Sequence, residues 1–68
     1  MSIAKITEII ASSPVSFDDA MKAGIARAHK TLTNLTAAWV ENQTVELSSD
    51  GNILEYRVML KITFLLEE

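Results

Sequence analysis

No cysteine occurs among the 68 residues of this sequence. Disulfides and thiolate zinc centres are therefore excluded. Histidine appears once, as His29, so a histidine cluster is excluded too. Apolar runs are short, and none approaches the roughly 20 residues that a membrane-spanning helix requires. Basic charge is also scarce: six Lys and Arg stand against nine Asp and Glu, a net charge of -3. Such a balance offers no basic stripe for a nucleic-acid backbone. The opening MSIAKITEII lacks the basic start, apolar segment and small-residue cleavage site of a signal peptide, so a cytoplasmic location is expected.

Residues 1–68 are expected to form a single domain. A chain this short buries only roughly 60% of the surface it exposes when unfolded. Small domains usually add disulfides, a metal or self-association to compensate. With the first two disfavoured, oligomerisation is the support that remains.

IAKITEII (Ile3 to Ile10) is rich in β-branched side chains and reads as a strand. ASSPVS follows, small residues around the single proline, and reads as a loop. Ser16 with Asp19 three residues later has the form of a capping box, and Asp18 and Asp19 suit the positive end of a helix dipole. Phe17, Met21, Gly24, Ile25, Ala28, Leu32 and Leu35 then recur at steps of three and four, which predicts a helix from Phe17 to Leu35. Gly24 within that stripe points to close approach of the helix to a sheet, at about 1 kcal/mol relative to alanine. Lys22, Arg27 and Lys30 lie off the stripe.

Residues 37–47 alternate as a strand, and SSDGN carries an Asp-Gly turn signal. The closing segment has the clearest pattern. Leu54, Tyr56, Val58, Leu60, Ile62, Phe64 and Leu66 fill every second position, against a mixed row of Ile53, Glu55, Arg57, Met59, Lys61, Thr63 and Leu65. This predicts a long antiparallel hairpin with one dry face. The fold class is α+β: β-α-β-β, a three-stranded antiparallel sheet packed on one helix. A strand of about 14 residues spans roughly 46 Å, whereas a helix of about 19 spans roughly 29 Å. One helix cannot cover that face. The surplus apolar length predicts association between copies.

ITEIIASSPVSFDDAM, RAHKTLTNL and EYRVMLKITFLLEE together resemble the dodecins, small β-α-β-β proteins that form hollow homododecamers and in many members hold flavins. The resemblance spans nearly the whole chain. It implies a non-enzymatic flavin-binding and storage protein, with riboflavin, FMN or FAD stacked at intersubunit sites and no metal required. In the family, a tryptophan early in the second strand stacks on the isoalloxazine ring. A glutamine after an aromatic residue in the third strand bonds the ring edge, and two flavins share a pocket on a twofold axis. Ala37 stands here at the tryptophan position, and Trp39 follows two residues later on the same strand face. Arg57 stands at the glutamine position, and Leu65 matches an arginine of some members. Other dodecin-like proteins without the tryptophan are linked to calcium or to no ligand. A shell that binds a cation, or is purely structural, is the alternative.

Trp39 has two readings, a platform for a flat ring or a filler of an intersubunit contact. Ala37 leaves room, either for a ligand or for the Trp39 of another copy. Arg57 offers a planar fork to a flavin carbonyl or phosphate, or pairs with Glu41 or Glu55 across the hairpin. Gln43 falls in the Trp39 row, where it reads a ring edge or is simply solvated. His29 reads as structural, Met1 as an initiator, and Glu67 with Glu68 as a solvated tail. Asp50 and Asn52 supply too few oxygens for the six to eight that calcium prefers. No serine or threonine has a nearby base, no glycine-rich phosphate loop exists, and no enzyme activity is expected.

Overall fold

The structure is a computed structural model that describes residues 2–67. Met1, Glu68 and the side chain of Glu67 lie outside the described residues, and with them the readings of an initiator and a solvated tail. Four elements follow one another: β1 (Ile3–Ser13), α1 (Phe17–Thr31), β2 (Leu35–Leu47) and β3 (Ile53–Glu67). The strands form one antiparallel sheet in the order β1-β3-β2, with the long apolar strand at the centre. The expected β-α-β-β class is the observed one.

Helix α1 starts where the chemistry requires. The Ser16 hydroxyl accepts a hydrogen bond from the Asp19 amide at 2.9 Å, which satisfies one of the free N–H groups of the first turn. The Asp19 carboxylate does not return the bond to Ser16. It accepts instead from the Ser13 hydroxyl at 2.6 Å, and Ser13 Oγ in turn accepts from the Val15 amide at 2.9 Å. Ser13 is only 2% exposed, so the segment read as a loop contributes Ala11, Ser12 and Ser13 to the end of β1.

The helix ends four residues earlier than expected. Leu32 has extended backbone angles, and Asn34 lies in the left-handed region at φ 59°, which asparagine tolerates better than most residues. Leu35 is thus apolar for burial on β2 and not on the helix. The innermost line of α1 is Ala20, Gly24 and Ala28, flanked by the half-buried Phe17, Met21 and Ile25. Small residues at the centre let the helix axis settle close to the sheet. Phe17 closes the start of the helix edge-on against Tyr56, with ring centroids 5.1 Å apart.

The dry face behaves as its alternation predicts in the middle and not at the ends. Val58 and Leu60 are 0% exposed and Ile62 is 1% exposed beneath the helix, but Leu54 and Leu66 are 54% and 57% exposed. The molecule measures 53 × 19 × 14 Å. A helix of 15 residues covers only about 22 Å of that length. Apolar side chains therefore protrude beyond both helix ends.

At the far end, the β2–β3 turn is closed by two backbone bonds between Ser48 and its neighbours, Gly51 N–H to Ser48 at 3.0 Å and Ser48 N–H to Asn52 at 2.9 Å. Gly51 takes φ 83°, a conformation open to glycine. No helix among the described residues is long and apolar enough to cross a membrane.

Candidate functional site

The two faces of the sheet are set by register, because residues directly opposite in an antiparallel pair point the same way. Val58, Leu60 and Ile62 face the helix, and so do their β2 partners Gln43, Val40 and Ala38. Among the described residues, the other face carries no helix. Its β3 row is Glu55, Arg57, Met59, Lys61, Thr63 and Leu65, partnered on β1 by Ser12, Ile10, Glu8, Ile6 and Ala4 from Arg57 onward.

On β2 this open face holds Ala37 opposite Thr63 and Trp39 opposite Lys61. The expected shared face of Ala37 and Trp39 is present. Trp39 is 44% exposed, with the small, exposed Ala37 on one side of it. The β-branched Ile6 and Ile10 on β1 add further exposed apolar surface to this face.

Gln43 is not in the Trp39 row. The register slips between Val40 and Asn42, leaving Glu41 as an extra residue. Such a bulge places two residues against one and reverses the side chains that follow it, here as far as Glu46. Asn42, Thr44 and Glu46 continue the open face, whereas Gln43 turns to the helix side opposite Val58, beside Phe17 and Met21. Two further slips, between Leu35 and Ala37 and between Glu46 and Leu47, lie near the two ends of the same strand. Simple alternation from sequence has no means of seeing the slip at Glu41, since an extra polar residue in an exposed edge strand leaves no apolar mark.

Arg57 does face the open side, and its partners differ from those expected. Its Nη2 donates to Glu46 Oε2 at 2.8 Å, and its Nε donates to Ser12 Oγ at 3.2 Å. One guanidinium thus joins β1, β3 and β2. Glu41, one of the expected partners, pairs with Lys61 at 3.3 Å. Glu55, the other, lies directly opposite Glu46 in the register. The bulge at Glu41 causes this exchange, because it brings Thr44 opposite Arg57 and Glu46 onto the diagonal.

Within one chain these residues do not converge. Arg57 lies four β3 positions from Lys61, the residue opposite Trp39, which is about 13 Å along the strand. Ala37 and Trp39 are together, Arg57 is at the other end of the same face, and Gln43 is behind the sheet. A ring stacked on Trp39 would leave most of its own surface uncovered by this chain. Among the described residues, no group of three or more His, Asp or Glu is placed to hold a metal ion. His29 is exposed in the last turn of α1, and Asp50 is exposed in the hairpin turn, its amide donating to Ser48 Oγ.

Comparison with known proteins agrees with this geometry over the full chain. The Dodecin family model matches residues 3–67. The calcium dodecin of Mycobacterium tuberculosis is 33% identical over 64 residues, covering 94% of this chain and 89% of that protein. The dodecin of Thermus thermophilus is 34% identical over 65 residues, covering 94% and 91%. A crystal structure of a variant of the Thermus thermophilus dodecin superimposes with a TM-score of 0.90 at 32% identity, covering 100% of both chains. Element order, sheet topology and sequence agree from the first strand to the last, and the chain belongs to the dodecin family.

Proposed function

We propose that this chain is a non-enzymatic cytoplasmic protein that assembles as a hollow homododecamer and holds a flavin (riboflavin, FMN or FAD) between copies. Stacking would store the ligand and quench its photochemistry. Trp39 carries the reading: the largest flat apolar side chain of the protein stands 44% exposed on the helix-free face, beside an alanine. Burying an indole and a second ring in an offset stack removes apolar area from water and adds the favourable geometry of aromatic pairs.

Assembly is supported by Leu54 and Leu66, which stand more than half exposed among the described residues. It also supplies what the single chain lacks. Trp39 and Ala37 of one copy would form one wall, and the Arg57–Glu46 pair, of the same or of a second copy, would border the ligand. Gln43 takes part only where another copy presents its helix-side face to the same pocket.

The test is titration of riboflavin and FMN with the purified protein. Flavin fluorescence is expected to be quenched, and Trp39→Ala is expected to abolish the quenching. Unchanged fluorescence at micromolar protein would refute the flavin reading.

A second reading is a shell without flavin, binding a cation such as calcium or serving structure alone. One observation favours it: both Nη2 and Nε of Arg57 are already engaged, by Glu46 and Ser12. A purified protein without the visible absorption of flavin, and with none taken up on titration, would support this reading.

A further inference from the structure

The bonding of Arg57 has a consequence for which flavins the site admits, and it rests on the flavin reading above. Arg57 stands where the family pattern has a neutral amide, so it adds a positive charge that would be expected to favour anionic ligands. The structure gives that charge away. Its Nη2 is held by Glu46 at 2.8 Å and its Nε by Ser12 at 3.2 Å. Glu55, directly opposite Glu46, adds a second carboxylate at the same end of the face. Two carboxylates and one guanidinium leave a local charge of -1.

The rest of the open face has the same sign. Glu8, Glu41, Glu46 and Glu55 stand against Arg57 and Lys61, four negative charges against two positive, or -2 per chain among the described side chains. Lys61 is itself paired with Glu41 at 3.3 Å. A phosphate group carries about -1.5 to -2 at neutral pH. Its approach to Arg57 is confined to the guanidinium N–H groups that Glu46 and Ser12 leave, and there it remains close to both glutamates. A neutral ring with a hydroxylated tail meets no such opposition, since carboxylates accept hydrogen bonds from hydroxyl groups.

We infer that Glu46, by holding Arg57 and leaving the face negative, makes the site select flavins without a phosphate, the riboflavin class, over phosphorylated ones. Arg57 and Glu46 act here as a charge pair that sets selectivity. Neither is a catalytic residue.

The pair makes a prediction with two opposite signs. Fluorescence titration of riboflavin and of FMN with the assembled protein should show tighter binding of riboflavin. Glu46→Gln should move the affinity ratio toward FMN by about tenfold, as removal of one charge near a dianion requires, and less at high salt. Arg57→Gln should move the ratio the other way, because it leaves Glu46 and Glu55 unneutralised. A purely structural role for the pair would shift both variants in one direction. Glu55→Gln should act like Glu46→Gln without disturbing the Arg57 bonds, which covers the case in which Glu46→Gln folds poorly. An unchanged ratio in Glu46→Gln and Glu55→Gln, or FMN binding more tightly to the unaltered protein, would overturn this inference while leaving flavin binding intact. Failure of both flavins to bind would overturn the flavin reading and this inference together.

Discussion

A methyl group built on Gly24 would stand 3.0 Å from Leu60 Cδ1 and 3.0 Å from the Cβ of Ala11. Both neighbours resist movement, since Leu60 is 0% exposed at the core centre and the Ala11 Cβ is fixed to the sheet backbone. Gly24→Ala gains about 1 kcal/mol of helix propensity. Overpacking in a filled core costs typically about 1–3 kcal/mol. A net loss of about 1 kcal/mol is expected in chemical denaturation. A more stable Gly24→Ala variant would show that the helix is free to lift from the sheet.

Ser13 joins β1 to the start of α1 by giving one bond and accepting another. Ser13→Ala removes both bonds, the one to the Asp19 carboxylate being a hydrogen bond to a charged group. Such a bond contributes about 1.5–3 kcal/mol. Ser16→Ala removes the helix cap at about 1 kcal/mol. Equilibrium unfolding should rank Ser13→Ala as the more damaging of the two, and the reverse order would locate the helix start in the cap alone.

The Arg57–Glu46 pair, by contrast, should matter little to folding. Both side chains are more than a third exposed. Exposed ion pairs contribute roughly 0–1 kcal/mol. A double-mutant cycle with Arg57→Gln and Glu46→Gln should give a coupling of about 1 kcal/mol or less in stability. A much larger value would mean that the three-strand bridge holds the sheet together.

How much of this was legible in the sequence depended on what each residue contributes to burial. The unbroken alternation from Tyr56 to Ile62 disclosed β3 and its dry face, because a central strand must hide every second side chain. Ser16 and Asp19 disclosed the helix start through capping chemistry. The helix end was not legible: Leu35 continues the helical spacing although it faces the same core from a strand. The face of Gln43 was hidden for a different reason. Glu41 is polar and exposed, so the bulge that turns Gln43 away from Trp39 changes no apolar pattern. The choice of Glu46 over Glu41 and Glu55 as the Arg57 partner followed from that same bulge. Ala37 and Trp39, which precede it, kept their shared face.

Leu66 offers a separate test of association. It is 57% exposed in the single chain and makes no part of the buried core. Leu66→Glu should therefore leave the secondary structure seen by circular dichroism in place while shifting the protein to smaller species. An unchanged oligomer would place the intersubunit contacts elsewhere.

The central claim is that strands outrunning their own helix oblige copies of this chain to cover one another. Native mass spectrometry of the purified protein tests it most directly, and reports any retained ligand in the same spectrum. The expected result is a single assembly at about twelve times the 7.5 kDa chain mass. A folded species at 7.5 kDa alone, stable on dilution, would contradict it.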